Sequence, residues 1–316
     1  MGISREHALE CFRSDDLVGM GMEADAVRRR LNPEGVVSYA VACRVDCSGL
    51  ANGGDADLEV ACAAIAAAVE NDATGVRLEG VQLAGGVGAV RDELTRLERM
   101  LRGLRRQFPQ VWLEGPPATE VVEMAKHCEL GMREVLARLK DAGLDAIAGD
   151  GIGLANEAGV SDWAEVHRAA HGLGMRTSAG MVFGAGETAE QRVDFLAAVR
   201  GLQEEMGGFA AFVPMAAAAP GGRELDGVTA VERLKTLAIA RMFLDNVENV
   251  QADGIASGLK VLQAALRFGA NDAGTVLVAG DGLRAGASEE DLRRIIRDAG
   301  FRPAERDAAY RAMMLS

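Results

Sequence analysis

The sequence predicts one α/β domain built as a (β/α)8 barrel, and three observations carry that expectation. Short β-rich runs alternate with longer helical patterns along most of the chain. Eight such runs can be counted, the number that closes a barrel. Of 316 residues, 49% are hydrophobic but only 4% aromatic, so the material for one large, aliphatic core is present. A doubly wound open sheet is the other architecture compatible with this alternation. The expected division is a helical lead-in over 1–35, a barrel over 36–282 and a helical C-terminal extension over 283–316, with no linker or repeat array between them.

In the lead-in, Ser14-Asp15-Asp16 can cap a helix whose apolar positions are Leu17, Met20, Met22 and Val27, before the basic run Arg28–Arg30. Asn32-Pro33-Glu34-Gly35 ends it. The eight expected strands are Val36–Arg44, Gly75–Leu78, Val111–Leu113, Ala146–Ala148, Arg176–Phe183, Ala210–Pro214, Asn249–Ala252 and Thr275–Ala279. Their short apolar character suits a sheet covered on both faces. Between them the 3.6-residue pattern predicts helices over Val90–Arg106, Ala118–His127, Met132–Ala142, Asp162–Leu173, Glu190–Met206, Ala230–Asn246 and Gly258–Phe268. Ser288-Glu289-Glu290-Asp291 opens one more, Ser288–Ala299, with a capping sequence.

The formal net charge of −13 repels phosphate backbones and anionic membranes, which argues against nucleic-acid and membrane partners. No apolar run approaches the ~18 residues of a membrane span, and Met1–Glu10 has no apolar signal region, so the cytoplasm is the expected compartment. Five scattered cysteines do not form a disulfide framework.

In a barrel, chemistry sits at the C-terminal ends of the strands. Those ends carry Arg44 and Asp46, Glu79, Glu114, Asp150, Glu187 and Asp253. Asn271 and Asp272, just before the eighth strand, complete the candidate pocket set. Converging carboxylates repel, and a ring of them would need a cation; hard oxygen donors would favour Mg or Mn. Asp or Glu before Gly also serves simply to cap a turn, which is the competing reading. Cys43 and Cys47 stand four apart with no second pair or nearby histidine, so they read as small strand-end residues. His167 and His171 share one helix face, but no HExxH surrounds them and the helix belongs to the outer ring; their expected role is structural.

From Ala118 to Tyr310 the chain resembles a group of radical-SAM enzymes. These are the cyclic dehypoxanthinyl futalosine synthases and aminofutalosine synthases of menaquinone biosynthesis, with their relatives in deazaflavin (FO) synthesis. The words that carry the resemblance are Leu139–Asp145, Trp163–His171, Gly174–Thr177, Leu202–Phe209, Phe212–Pro214, Leu237–Arg241, Leu244–Asn246, Phe268–Asp272, Asp298–Phe301 and Glu305–Asp307. The futalosine cyclase branch is the nearest, through Gly174–Thr177 and Asn249–Ala252. The resemblance implies a TIM-type barrel of the radical-SAM kind.

It also implies an iron–sulfur cluster on a CxxxCxxC motif just after the first strand, but Cys43 and Cys47 read as lying upstream of that position and Ser48–Asp57 offers no cysteine. The family's Gly-Gly-Gly-Ala-Glu reads Gly149-Asp150-Gly151-Ile152-Gly153. Its Gly-His-x-Glu reads Gly184-Ala185-Gly186-Glu187, its Ser-Trp reads Asp253-Gly254, and its Glu-Glu reads Ala279-Gly280. Words that hold the fold are kept and words at the mouth are changed. The expectation is a cluster-free homologue with no cofactor assigned, SAM remaining a candidate ligand. It would act as a binding or partner protein for an active futalosine-pathway enzyme or a nucleoside-like ligand. The alternatives are a metal-dependent, non-radical enzyme using the acidic mouth, and a SAM or nucleoside sensor.

Overall fold

The computed structural model describes residues 2–47, 55–80, 90–149, 151–154, 157–217, 228–253, 258–278, 284–285 and 288–315. The lead-in forms two helices, α1 (Arg5–Arg13) and α2 (Leu17–Leu31), capped at their N-termini by Ser4 and Asp16. The barrel then runs β1 (Val36–Asp46), α3 (Asp55–Val69), β2 (Gly75–Glu79), α4 (Val90–Gln107), β3 (Trp112–Pro117), α5 (Ala118–Cys128), α6 (Met132–Asp141), β4 (Ala146–Ala148) and β5 (Gly151–Gly153). It continues through α7 (Glu157–Gly172), β6 (Thr177–Phe183), α8 (Ala189–Met206), β7 (Phe209–Ala216), α9 (Ala230–Phe243), β8 (Asn249–Val250), α10 (Leu259–Ala265) and β9 (Asp272–Val278). All eight expected strands are present, with boundaries shifted by a few residues. The expected helix Ala230–Asn246 ends at Phe243, and Gly258–Phe268 is shorter at both ends.

The strands are parallel and close in sequence order. β9, β1, β2, β3 and β4 pair successively, as do β5, β6, β7 and β8, and Gln251 bridges to Asp272 to join the two arcs. β4 and β5 together form one barrel position: β4 pairs with β3, whereas β5 pairs with β6. The chain passes there close to β6. A Cβ on Gly180 would stand 2.6 Å from the Gly149 carbonyl, so only glycine fits. This is the TIM-type barrel the sequence predicts.

Strand alternation sorts side chains between helix layer and lumen. On β1, Val37, Tyr39, Val41, Cys43 and Val45 are buried outward beneath helices, while Ala40, Ala42 and Arg44 line the interior. Each fully buried Val or Leu of the outer layer contributes roughly 1.5–3 kcal/mol. Helix ends are set by sequence. Thr188 and Gln191 form a reciprocal capping box at α8, and Gly207 ends it in the left-handed region at φ 67°.

The C-terminal extension departs from the all-helical expectation. α11 (Glu289–Asp298) is capped by Ser288 as expected, but strands also form: β10 (Arg284–Ala285), β11 (Arg302–Arg306) and β12 (Ala312–Leu315). β11 pairs in parallel with the first half of β1, Val36 opposite Arg302, on the edge that β2 takes along the second half. The β11–β12 hairpin turn lies under the barrel; a Cβ on Gly75 would meet Ala308 at 2.7 Å. The sequence signal was masked because β11 is short and polar at alternate positions, with a proline at its second residue.

Candidate functional site: the barrel lumen

The small inward residues Ala40, Ala42, Gly149, Ala273 and Gly274 leave a cavity of about 330 Å³ inside the barrel. Branched aliphatic side chains commonly fill this space in such barrels. Charged side chains enter it in register. Arg44 of β1 lies opposite Arg77 of β2, and Arg77 opposite Glu114 of β3. Arg77 Nε and Nη2 donate to the two Glu114 oxygens at 3.3 and 3.4 Å, and the Gly149 amide donates to Glu114 at 3.3 Å. Arg44 pairs with Glu79 at 3.1 Å.

The floor comes from the C-terminal hairpin. Arg306 pairs through Nε with Asp272, donates from Nη2 to the other Asp272 oxygen at 3.0 Å, and lies 3.8 Å from the centre of the Tyr310 ring. Asp272 also accepts from Ser38 Oγ at 2.6 Å and from the Gly274 amide at 2.9 Å. Burial alone would lower the Arg306 pKa, but the Asp272 carboxylate holds it above the usual arginine value. Tyr310 donates to Gln251 at 2.7 Å, and burial pushes its phenol up to about 12.

The candidate residues therefore divide. Arg44, Glu114 and Asp253 line the cavity. Asp46 and Glu79 face each other in register at its rim, and Asp272 supports its floor. Asp150 lies outside the described residues. Glu187 is not a cavity wall: its side chain is buried, accepting from the Gly184 and Ala185 amides and pairing with Arg192 at 2.7 Å. Burial would raise this carboxyl, but those hydrogen bonds and Arg192 hold it below the usual range.

Asn271 is also structural. It accepts from Arg241 and the Val250 amide and donates to Asn249. Arg241, held otherwise by backbone carbonyls, is pushed down to about 9 by burial and by Arg28. Glu79, Glu114, Glu187 and Asp272 each carry an arginine partner, and among the described residues no group of three metal-ligating side chains forms.

Sequence reasoning missed Arg77, Arg306 and Tyr310. The alternation Gly75-Val76-Arg77-Leu78-Glu79 did hold a signal, since it puts two charges on the face opposite Val76 and Leu78. The histidines are structural, as expected. His167 Nδ1 and His171 Nε2 both meet Thr177 Oγ1 at 2.9 Å inside an aromatic cluster with Trp163 and Phe209.

β1 ends at Asp46, so Cys43 lies within the strand and Cys47 just past its end. Their spacing matches the first two positions of CxxxCxxC, and the third position falls on Leu50. Period two puts Cys43, Val45 and Cys47 on the helix-facing side, away from the lumen. Both thiols are buried; Cys43 Sγ is directed at the Arg44 and Ala64 carbonyls and Cys47 Sγ at the Val45 carbonyl. Burial raises both pKa values, that of Cys47 to about 12, with Asp46 adding to the latter.

The chain is a parallel eight-position barrel with a polar, ligand-sized lumen, the architecture of the TIM-type barrel enzymes. Residues 207–316 match the CofH/MqnC C-terminal region. The chain is 30% identical to the cyclic dehypoxanthine futalosine synthase of Streptomyces coelicolor, over 99% of this chain and 86% of that protein. It is 36% identical to the aminodeoxyfutalosine synthase of Thermus thermophilus, over 67% of this chain and 63% of that protein. Methylornithine synthase has the same fold, with a TM-score of 0.65 at 13% identity, covering 98% of this chain and 96% of that one. The chain belongs to the CofH/MqnC family of futalosine-pathway radical-SAM proteins.

That family implies an iron–sulfur cluster, and the donors present do not fit one. Leu50 cannot ligate iron, and the two remaining thiols are protonated and turned from the lumen.

Proposed function

We propose that this chain is a cluster-free member of its family that binds a small polar molecule in its barrel without radical chemistry, alone or as the partner of an active futalosine-pathway enzyme. The observation that carries the reading is the cysteine geometry: two outward, buried thiols and Leu50 at the third position. A retained cavity of about 330 Å³, within the range of small-molecule sites, supports a binding role. In it, Arg44 and Arg77 bring positive charge to a ligand's anionic or carbonyl oxygens, while Glu114 holds Arg77 in place. Arg306 and Tyr310 seal the floor against water.

Anaerobic reconstitution with iron and sulfide, followed by iron counting and a SAM-cleavage assay, tests this. The expected result is substoichiometric iron and no cleavage. A stoichiometric cluster that cleaves SAM overturns it. Thermal shift with SAM and with futalosine-like nucleosides reads the binding role, because a ligand of the folded state raises Tm.

A further inference from the structure

Beneath the barrel, at the N-terminal ends of the strands, lies a second concavity of about 510 Å³. Four cations line it: Arg105, Lys140, Arg176 and Arg311. Such a concentration is notable in a chain whose formal net charge is −13. The nearby acids are Asp145, paired with Arg105, and Asp307, paired with Arg311 at 2.7 Å.

The four cations are not equally available. Arg105 has its donors committed to Asp145 and the Val111 and Gly143 carbonyls, so it contributes field only. Lys140 bonds one carbonyl, that of Leu173, and keeps two N–H donors. Arg311 meets Asp307 through Nε. Arg176 is exposed and has no ion pair or hydrogen bond among the described residues. Half-buried Trp112 forms an aromatic wall beside these donors.

We infer that this groove is a second binding site, independent of the lumen, for a nucleoside phosphate: phosphate oxygens on Arg176, Arg311 and Lys140, and the base against Trp112. Guanidinium forks match phosphate geometry, and a planar base stacks on indole. The volume suits a mononucleotide.

Calorimetric titration of the full chain with ADP, adenosine and inorganic phosphate, read alongside tryptophan fluorescence, tests the assignment. ADP is expected to bind at least tenfold tighter than adenosine or phosphate. Arg176→Ala and Arg311→Ala should each weaken it tenfold or more, with Arg176→Lys recovering part. Trp112→Phe should abolish the fluorescence change while leaving measurable heat. No saturable ADP binding up to roughly millimolar concentrations overturns the proposal. So does phosphate binding as tightly as ADP, or binding unchanged in both alanine variants.

Discussion

Arg306 joins Asp272 to Tyr310: its guanidinium forks onto the carboxylate and lies 3.8 Å from the centre of the phenol ring. The Asp272 side chain is fully buried and that of Arg306 is 4% exposed. Replacing only Arg306, as in Arg306→Met, leaves a buried carboxylate without its cation and should cost about 3–5 kcal/mol. Adding Asp272→Leu should recover much of that loss, because the uncompensated charge goes with it. Urea unfolding of the two single variants and the double variant gives the coupling; strictly additive losses would contradict it.

Acid should weaken the fold through the histidine pair. Burial lowers the His171 pKa to about 4 and that of His167 well below 6.5, the latter with a contribution from His171. Both groups are neutral when folded, and the unfolded chain binds their protons first. Their stabilisation is complete above pH ~6.5 and is lost as pH falls toward 4, by on the order of 2–3 kcal/mol for His171. Unfolding free energies at several pH values between 7.5 and 4.5 should fall less steeply in His171→Gln than in the parent.

Gly208 has no room for a side chain. An added Cβ would sit 2.1 Å from the His171 ring, which is itself held by Thr177 and Phe209. Gly208→Ala is expected to destabilise by ~1–3 kcal/mol or more, measured as a lower urea midpoint with an unchanged m-value.

The cysteines should be inert in the native state. All five are buried and free, and burial raises Cys11, Cys43, Cys47 and Cys62. With Ellman's reagent near pH 8, native protein should release almost no colour over minutes, and denatured protein five equivalents. Rapid native labelling of Cys43 or Cys47 would contradict their outward, protected placement.

The barrel was legible because its signals are local. Period-two alternation marks β1 and β2, capping sequences mark α8 and α11, and each acts within a few residues. The lumen was less legible because its meaning lies in cross-strand register. Nothing near Glu114 in the chain announces Arg77, and nothing near Asp272 announces Arg306. Read singly, those carboxylates suggested an acidic mouth; read across strands, they are half of a set of ion pairs. Glu187 was misassigned for a related reason: its position after β6 resembled a pocket residue, whereas its oxygens go to Gly184, Ala185 and Arg192.

The pairing of β1 with β11 sets an order of events during synthesis. Val36 leaves the ribosome early, but its partner Arg302 leaves only after the intervening barrel has been made. At ordinary translation speeds that interval is on the order of tens of seconds. Until β9 is made, both edges of the first half of β1 are open; from then until β11 follows, one edge stays open, and throughout the lumen has no floor. The nascent chain is therefore most exposed to mispairing or chaperone capture at its oldest strand, and a stall before the hairpin would leave a barrel complete in its strands but open from below.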